Sequence, residues 1–194
     1  MLEIYFIRHG ESVGNKEELF RGRCDFPLNE NGIRQAEALR EELAIHHFEA
    51  IYSSPLQRSF KTAEIVANGR VPVIESQGFT NIALGDWENQ PKAFIRQKFP
   101  ELWQIWVTIP EKLVFNGMET LAMVQQRAYH TLRELLSRHA QGKIAIVSHR
   151  AVLKPLFAAM LGMGEPYFWK LQLDTDSYSV AEYRPERGFT FTVI

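Results

Sequence analysis

The sequence predicts an α/β protein with three layers, αβα, around a mostly parallel central sheet. The ligand site is expected at the carboxyl ends of the strands, beside a small helical lid insert. Three observations point there. Strand-like runs alternate with helix-like ones along the 194 residues, the pattern that builds a parallel sheet with helices on both faces. Three of the strand-like runs stop at chemically active residues: Arg8-His9-Gly10, Ser53-Ser54-Pro55 and Ser148-His149-Arg150. The stretch from about 86 to 116 breaks the alternation with short helical pieces.

Each element has its own signal. "LEIYFI" is rich in β-branched and aromatic residues and reads as the first strand. In "LNENGIRQAEALREELA", Ile33, Ala36, Leu39 and Leu43 recur at helical spacing behind Asn29, a side chain suited to capping. "AIYSSP" is a short second strand, and Pro55 is expected to open the helix through "LQRSFKTAEIVA". "VPVI" is a third strand, and "KAFIRQKF" and "PELWQIW" are the helical pieces of the insert. A long helix over roughly 119–140 leads into "KIAIVS", the clearest buried strand, and then into the apolar helix "AVLKPLFAAMLG", stopped by Gly162. "YFWKLQL", "SYSVAEY" and "FTFTVI" are expected to add strands at the tail. Neither repeats nor linkers interrupt this order, so residues 1–194 are expected to form one domain.

Composition narrows the class. Hydrophobic residues make up 45% and the formal net charge is −1, as in ordinary globular proteins. Without a basic field, nucleic acid and membrane surfaces are not expected partners. The single Cys24 supports neither an intrachain disulfide nor a thiolate metal site. The first residues lack a basic start and no run reaches membrane-spanning length, so a cytoplasmic enzyme is expected.

If the three active strand ends are neighbours, Arg8, His9, Arg58 and His149 meet in one pocket. Two guanidiniums and two imidazoles there repel unless an anion lies between them, and arginine's planar fork matches phosphate oxygens. The expected ligand is a dianionic tetrahedral group, held by Arg8 and attacked by His9. No metal is expected, because the histidines serve the phosphate and no carboxylate cluster accompanies them.

At these residues the chain resembles the histidine phosphatase superfamily, in its phosphoglycerate mutase-like branch. "RHGES" matches the family's Arg-His-Gly signature. "GNKEELFRGRCDFPLNENGIRQA", "SSPLQRSFKTA", "LGDWEN", "NGMET" and "IVSHRAVLKPL" are similar to its further motifs, in order. The resemblance implies His9 as a nucleophile that becomes transiently phosphorylated, with Arg8, Arg58 and His149 holding the phosphoryl oxygens. It implies Asn15 as a further donor and places Gly22 with the substrate-binding loop. Arg21 is a candidate for reaching an acidic substrate group. A small phosphorylated substrate or inorganic phosphate is the partner, no cofactor is implied, and a second copy of the chain is the other partner considered. Hydrolysis is expected over mutase chemistry, because a mutase needs a longer lid to protect its phosphoenzyme.

One departure matters. The family's proton-donating glutamate lies four residues before the glycine of "LGDWEN", where this chain has Asn81. A neutral amide supplies no proton, and losing a general acid forfeits something like 10²–10⁴-fold in rate. Three readings stay open: a substitute acid among Asp86, Glu88, Glu75 and Glu119; a phosphohistidine or anhydride substrate whose leaving group needs no acid; or a non-catalytic phospholigand-binding or regulatory protein. Lys92, Arg96 and Lys98 of the insert are read as solvated, and its aromatic residues as core.

Overall fold

The structure, a computed structural model, describes residues 1–175 and 177–192. The elements are β1 (Leu2–Arg8), α1 (Val13–Lys16), β2 (Leu19–Phe20), α2 (Glu30–Glu42), β3 (Ala50–Ser53), α3 (Gln57–Ala67), β4 (Val73–Glu75), β5 (Gln90–Pro91), α4 (Lys92–Lys98), α5 (Pro100–Thr108), α6 (Leu121–Arg138), β6 (Gly142–Ser148), α7 (Arg150–Leu161), β7 (Tyr178–Arg184) and β8 (Gly188–Thr192). The central sheet runs β4-β3-β6-β1-β7-β8. Its first four strands are parallel, whereas β7 and β8 are antiparallel additions at one side. The sheet is therefore mostly parallel, as expected.

Register is what builds the site. Arg8 of β1 lies opposite Ser148 of β6, and Ser53 of β3 lies opposite Val147. The three strands thus end at one level with their following residues side by side. Burial alternates as a two-sided sheet requires. Leu2, Ile4, Phe6, Ile144 and Ile146 join the core under α6 and α7, while Tyr5, Ile7, Ala145 and Val147 join the one under α2 and α3.

The insert is tied down rather than free. Its β5 pairs with β2, and an isolated bridge between Leu84 and Met118 closes its base. Trp106 belongs to the core that includes β1 and β6, with Phe99 and Trp103 packed against it, so those aromatics pack as the sequence implied. Phe94 is 41% exposed and does not.

Three sequence expectations need correction. Pro55 does not open α3, which begins at Gln57. The cap comes from a distant loop instead, since the Asp25 carboxylate accepts from Gln57 N at 2.7 Å. "YFWKLQL" is no strand: Phe168–Lys170 form a 3₁₀ turn because Glu111 Oε1 accepts from the Tyr167 and Phe168 amides, both at 2.7 Å. The long helix starts at Leu121, capped by Thr120, whose hydroxyl accepts from Met123 N. The strand expected over "FTFTVI" ends at Thr192, and its last two residues lie outside the described ones.

Why glycine follows the Arg-His pair at once is now clear. A Cβ on Gly10 would collide with the backbone of Gly32 in α2, and one on Gly32 would collide with the backbone of Glu11. The segment after His9 is pressed against a helix backbone at both points. Gly10→Ala is expected to destabilise the fold by about 1–3 kcal/mol through overpacking, measured by urea unfolding; an unchanged midpoint would contradict the close approach.

Candidate active site

Arg58, on the first turn of α3, is 0% exposed. Its terminal nitrogens donate to the Cys24 carbonyl at 2.8 Å and the Gly22 carbonyl at 3.0 Å. These bonds fix the guanidinium plane and leave its buried Nε–H without a partner. Burial lowers its pKa to about 10, despite the opposing influence of Asp25, Cys24 and Glu88. Arg8 is buried too and donates from Nη1 to the Leu173 carbonyl at 2.7 Å.

His9 is also buried, and its Nδ1 lies 2.7 Å from the Gly10 carbonyl. A carbonyl only accepts, so Nδ1 carries the proton and Nε2 keeps its lone pair. Burial, then Arg58, Arg21 and Arg8, push its pKa well below the ordinary value, so the ring is neutral. The His149 ring lies 5.0 Å away, centroid to centroid, and is held neutral by burial, Arg58 and His9. Its Nε2 meets the Ser54 hydroxyl at 2.8 Å and that of Ser59 at 3.3 Å, while its buried Nδ1 has no partner. With a serine hydroxyl donating to Nε2, the ring proton sits on Nδ1 and is available to an anion.

Arg21, Gly22, Asn81, Lys92, Arg150, Trp106 and Phe168 line one cavity together with His9 and His149. The sequence thus brings Arg8, His9, Arg58, His149, Arg21, Gly22 and Asn81 into one region. Asn15 is not among the residues lining the cavity; its Oδ1 accepts from the Ser12 amide at 3.1 Å and hydroxyl at 2.8 Å. Buried polar groups are normally satisfied. Partnerless Arg58 Nε and His149 Nδ1, in the same region as the proton-free nitrogen of His9, therefore suit an anion. No group of three or more His, Cys, Asp or Glu able to hold a metal occurs among the described residues. Nor is any helix there long and apolar enough to cross a membrane.

Comparison with known proteins decides the family. The model of the "Histidine phosphatase superfamily (branch 1)" matches residues 4–193. The chain belongs to the histidine phosphatase superfamily. It is 35% identical to phosphoserine phosphatase 1 of Hydrogenobacter thermophilus over 97% of this chain and 90% of that protein. The solved structure of YhfR from Bacillus stearothermophilus superposes with a TM-score of 0.94 at 32% identity, covering 100% of this chain and 96% of that one. A phosphoserine phosphatase from Entamoeba histolytica, solved as a mutant in complex with phosphoserine, superposes with a TM-score of 0.87 at 26% identity, covering 100% of this chain and 96% of that one. With relatives named as phosphatases across its length, this family member is a phosphatase.

The geometry of this histidine phosphatase argues against each expected substitute acid. Glu119 is clamped by Arg127 at 2.7 and 3.0 Å and meets Arg23 at 3.3 Å. Its pKa is lowered overall because the Arg127 and Arg23 contacts and the Ala83 amide outweigh the opposing effect of burial. Glu88 Oε1 accepts from the Arg23 and Leu84 amides, both at 2.9 Å, which makes it a brace for the turn. Asp86 and Glu75 are exposed. None of the four lines the cavity. Asn81 does line it; its Nδ2 donates to the Gly22 carbonyl at 2.8 Å and its buried Oδ1 has no partner. Gly22 serves through that carbonyl, which anchors both Asn81 and Arg58. Its φ of +48° and the press of Glu88 against any Cβ demand glycine.

Sequence reasoning missed two residues that line the cavity and one buried lysine that does not. Lys92 lines the cavity rather than being solvated, its pKa lowered by burial and Arg21. Arg150 lines it too, stacked 5.7 Å from the Trp169 ring. Buried Lys154 stands one turn further along α7, donating to the Phe168 carbonyl at 2.8 Å. A signal for Arg150 was present: it opens a helix, where the dipole disfavours a cation. In the ligand-free enzyme, NMR titration of the His9 and His149 rings is expected to find both neutral at the ordinary midpoint of 6.5, protonating only further down. A half-charged ring at that pH would contradict the burial and charge described.

Proposed function

We propose that this phosphatase hydrolyses a small phosphomonoester, without a metal, through a phosphoryl group carried transiently on His9 Nε2. In the first step the Nε2 lone pair attacks phosphorus and the bond to the leaving oxygen breaks. That oxygen departs with the electron pair and takes a proton from solvent, which the attacking water gives back in the second step. Water then attacks phosphorus, the P–N bond breaks, and orthophosphate leaves with the lone pair restored to His9. The observation that carries the reading is the partnerless set of Arg58 Nε and His149 Nδ1 beside the proton-free nitrogen of His9. Phosphoryl transfer asks mainly for such positioning and charge stabilisation.

A second reading is favoured by Asn81, the residue lining the cavity where the family's acid would stand. Its amide cannot protonate an alkoxide, which suits substrates with good leaving groups, phosphohistidine or an anhydride among them. The two readings share His9 and differ in the leaving group.

Two experiments follow. Alkaline quenching during turnover should trap a base-stable, acid-labile phosphoryl group on the protein. His9→Ala should lack it and lose activity by about 10³-fold or more. A variant that retains turnover would overturn the proposal. Across a series of phosphate esters, kcat/KM should fall steeply as the leaving group becomes more basic. Asn81→Glu should flatten that slope by raising alkyl-ester rates about 10²-fold. A slope already shallow in the unmutated enzyme would mean that some other group donates the proton.

A further inference from the structure

Beyond the phosphate grip, the cavity holds a second cluster of charge that the hydrolytic steps leave unused. Arg21, Lys92 and Arg150 all line it, from the loop after β2, the start of α4 and the start of α7. Other buried or half-buried cations are matched: Arg127 by Glu119, Lys143 by Glu3, Lys154 by the Phe168 carbonyl. Among the described residues, none of the three has a side-chain hydrogen bond or ion pair with protein. Arg150 has only its stacking on Trp169 and the more distant field of Asp174. Burial disfavours the charged form of Arg21 and Lys92 first, and neighbouring cations add to it: Arg58, Arg8 and Arg150 act on Arg21, and Arg21 and Arg150 act on Lys92. Among the described residues no carboxylate lines the cavity, and only the more distant fields of Glu18 on Lys92 and Asp174 on Arg150 oppose this.

One phosphoryl group does not account for this. On the proposed function Arg8, Arg58 and His149 already serve the phosphoryl group at His9, and a phosphomonoester brings at most two negative charges there. Three further partly buried cations need further anionic charge. We propose that Arg21, Lys92 and Arg150 form a second anion subsite on the leaving-group side. The substrate is then a phosphomonoester whose alcohol portion carries another carboxylate or phosphate. The inference rests on the cavity being a phosphate-ester site, and it adds the chemistry of the leaving group. Guanidiniums at two of the three positions suit a planar carboxylate or a phosphate equally, so the two sources need separate arms in the test.

Binding to the His9→Ala protein, measured by calorimetry at fixed ionic strength, separates this from turnover. One arm uses esters with a single anion, glycerol 3-phosphate and phenyl phosphate. A second uses phosphoserine and 3-phosphoglycerate, and a third uses fructose 1,6-bisphosphate. At least one two-anion arm should bind about ten-fold or more tightly than the first. That advantage should shrink to near unity when Arg21→Met or Arg150→Met is added. Neither substitution removes a hydrogen bond within the protein, and Lys92→Met gives a third check. Equal affinity across all arms, or an advantage surviving in all three variants, overturns the subsite while leaving the phosphatase proposal standing. Failure of every ester to bind overturns both.

Discussion

Everything at this site depends on holding a guanidinium in the interior at a defined angle. Arg58 is fully buried, and among the described residues no carboxylate forms an ion pair with it. Two backbone carbonyls, those of Gly22 and Cys24, carry it instead. Neutral acceptors orient the charge without cancelling it, so its field stays available to an anion. That field, with burial, also keeps His9 and His149 unprotonated. A neutral His9 is what the proposed nucleophile needs, so on that proposal one buried cation both attracts the ligand and keeps the attacking nitrogen free.

The loop that supplies those carbonyls is itself braced. Glu88 accepts from the Arg23 and Leu84 amides, joining the loop after β2 to the turn before β5. Asn81 and Arg58 share the Gly22 carbonyl. Arg127, gripped by Glu119, donates to the backbone carbonyls of Gly78 and Asn81. The carboxylates nearest the site therefore spend their charge on architecture. Among the described residues the cavity's polar lining is left with cations, two neutral imidazoles and one amide, an unusual balance for a site proposed to release an alcohol.

Much of this was legible in the sequence. The strand ends at Arg8-His9, Ser53-Ser54 and Ser148-His149 were visible because strands leave a simple signature and their termini are short. The gap at Asn81 was visible by counting from Gly85. Long-range capping was not. The start of α3 is set by Asp25, and the 3₁₀ turn at Phe168 by Glu111, each far away in sequence. Lys92 looked like an ordinary surface lysine because nothing local says that β5 pairs with β2 and carries the start of α4 over the cavity. The four acids offered as proton donors were near the right place in sequence. Sequence alone does not show which of them already have amides or arginines to hold.

A crystal structure with orthovanadate, which takes up the geometry of phosphoryl transfer, tests the central claim most directly. The account predicts vanadium in line with His9 Nε2, and oxygens within hydrogen-bond distance of Arg58 Nε and His149 Nδ1. An anion seated elsewhere, or His9 turned so that Nδ1 rather than Nε2 faces it, would contradict the account.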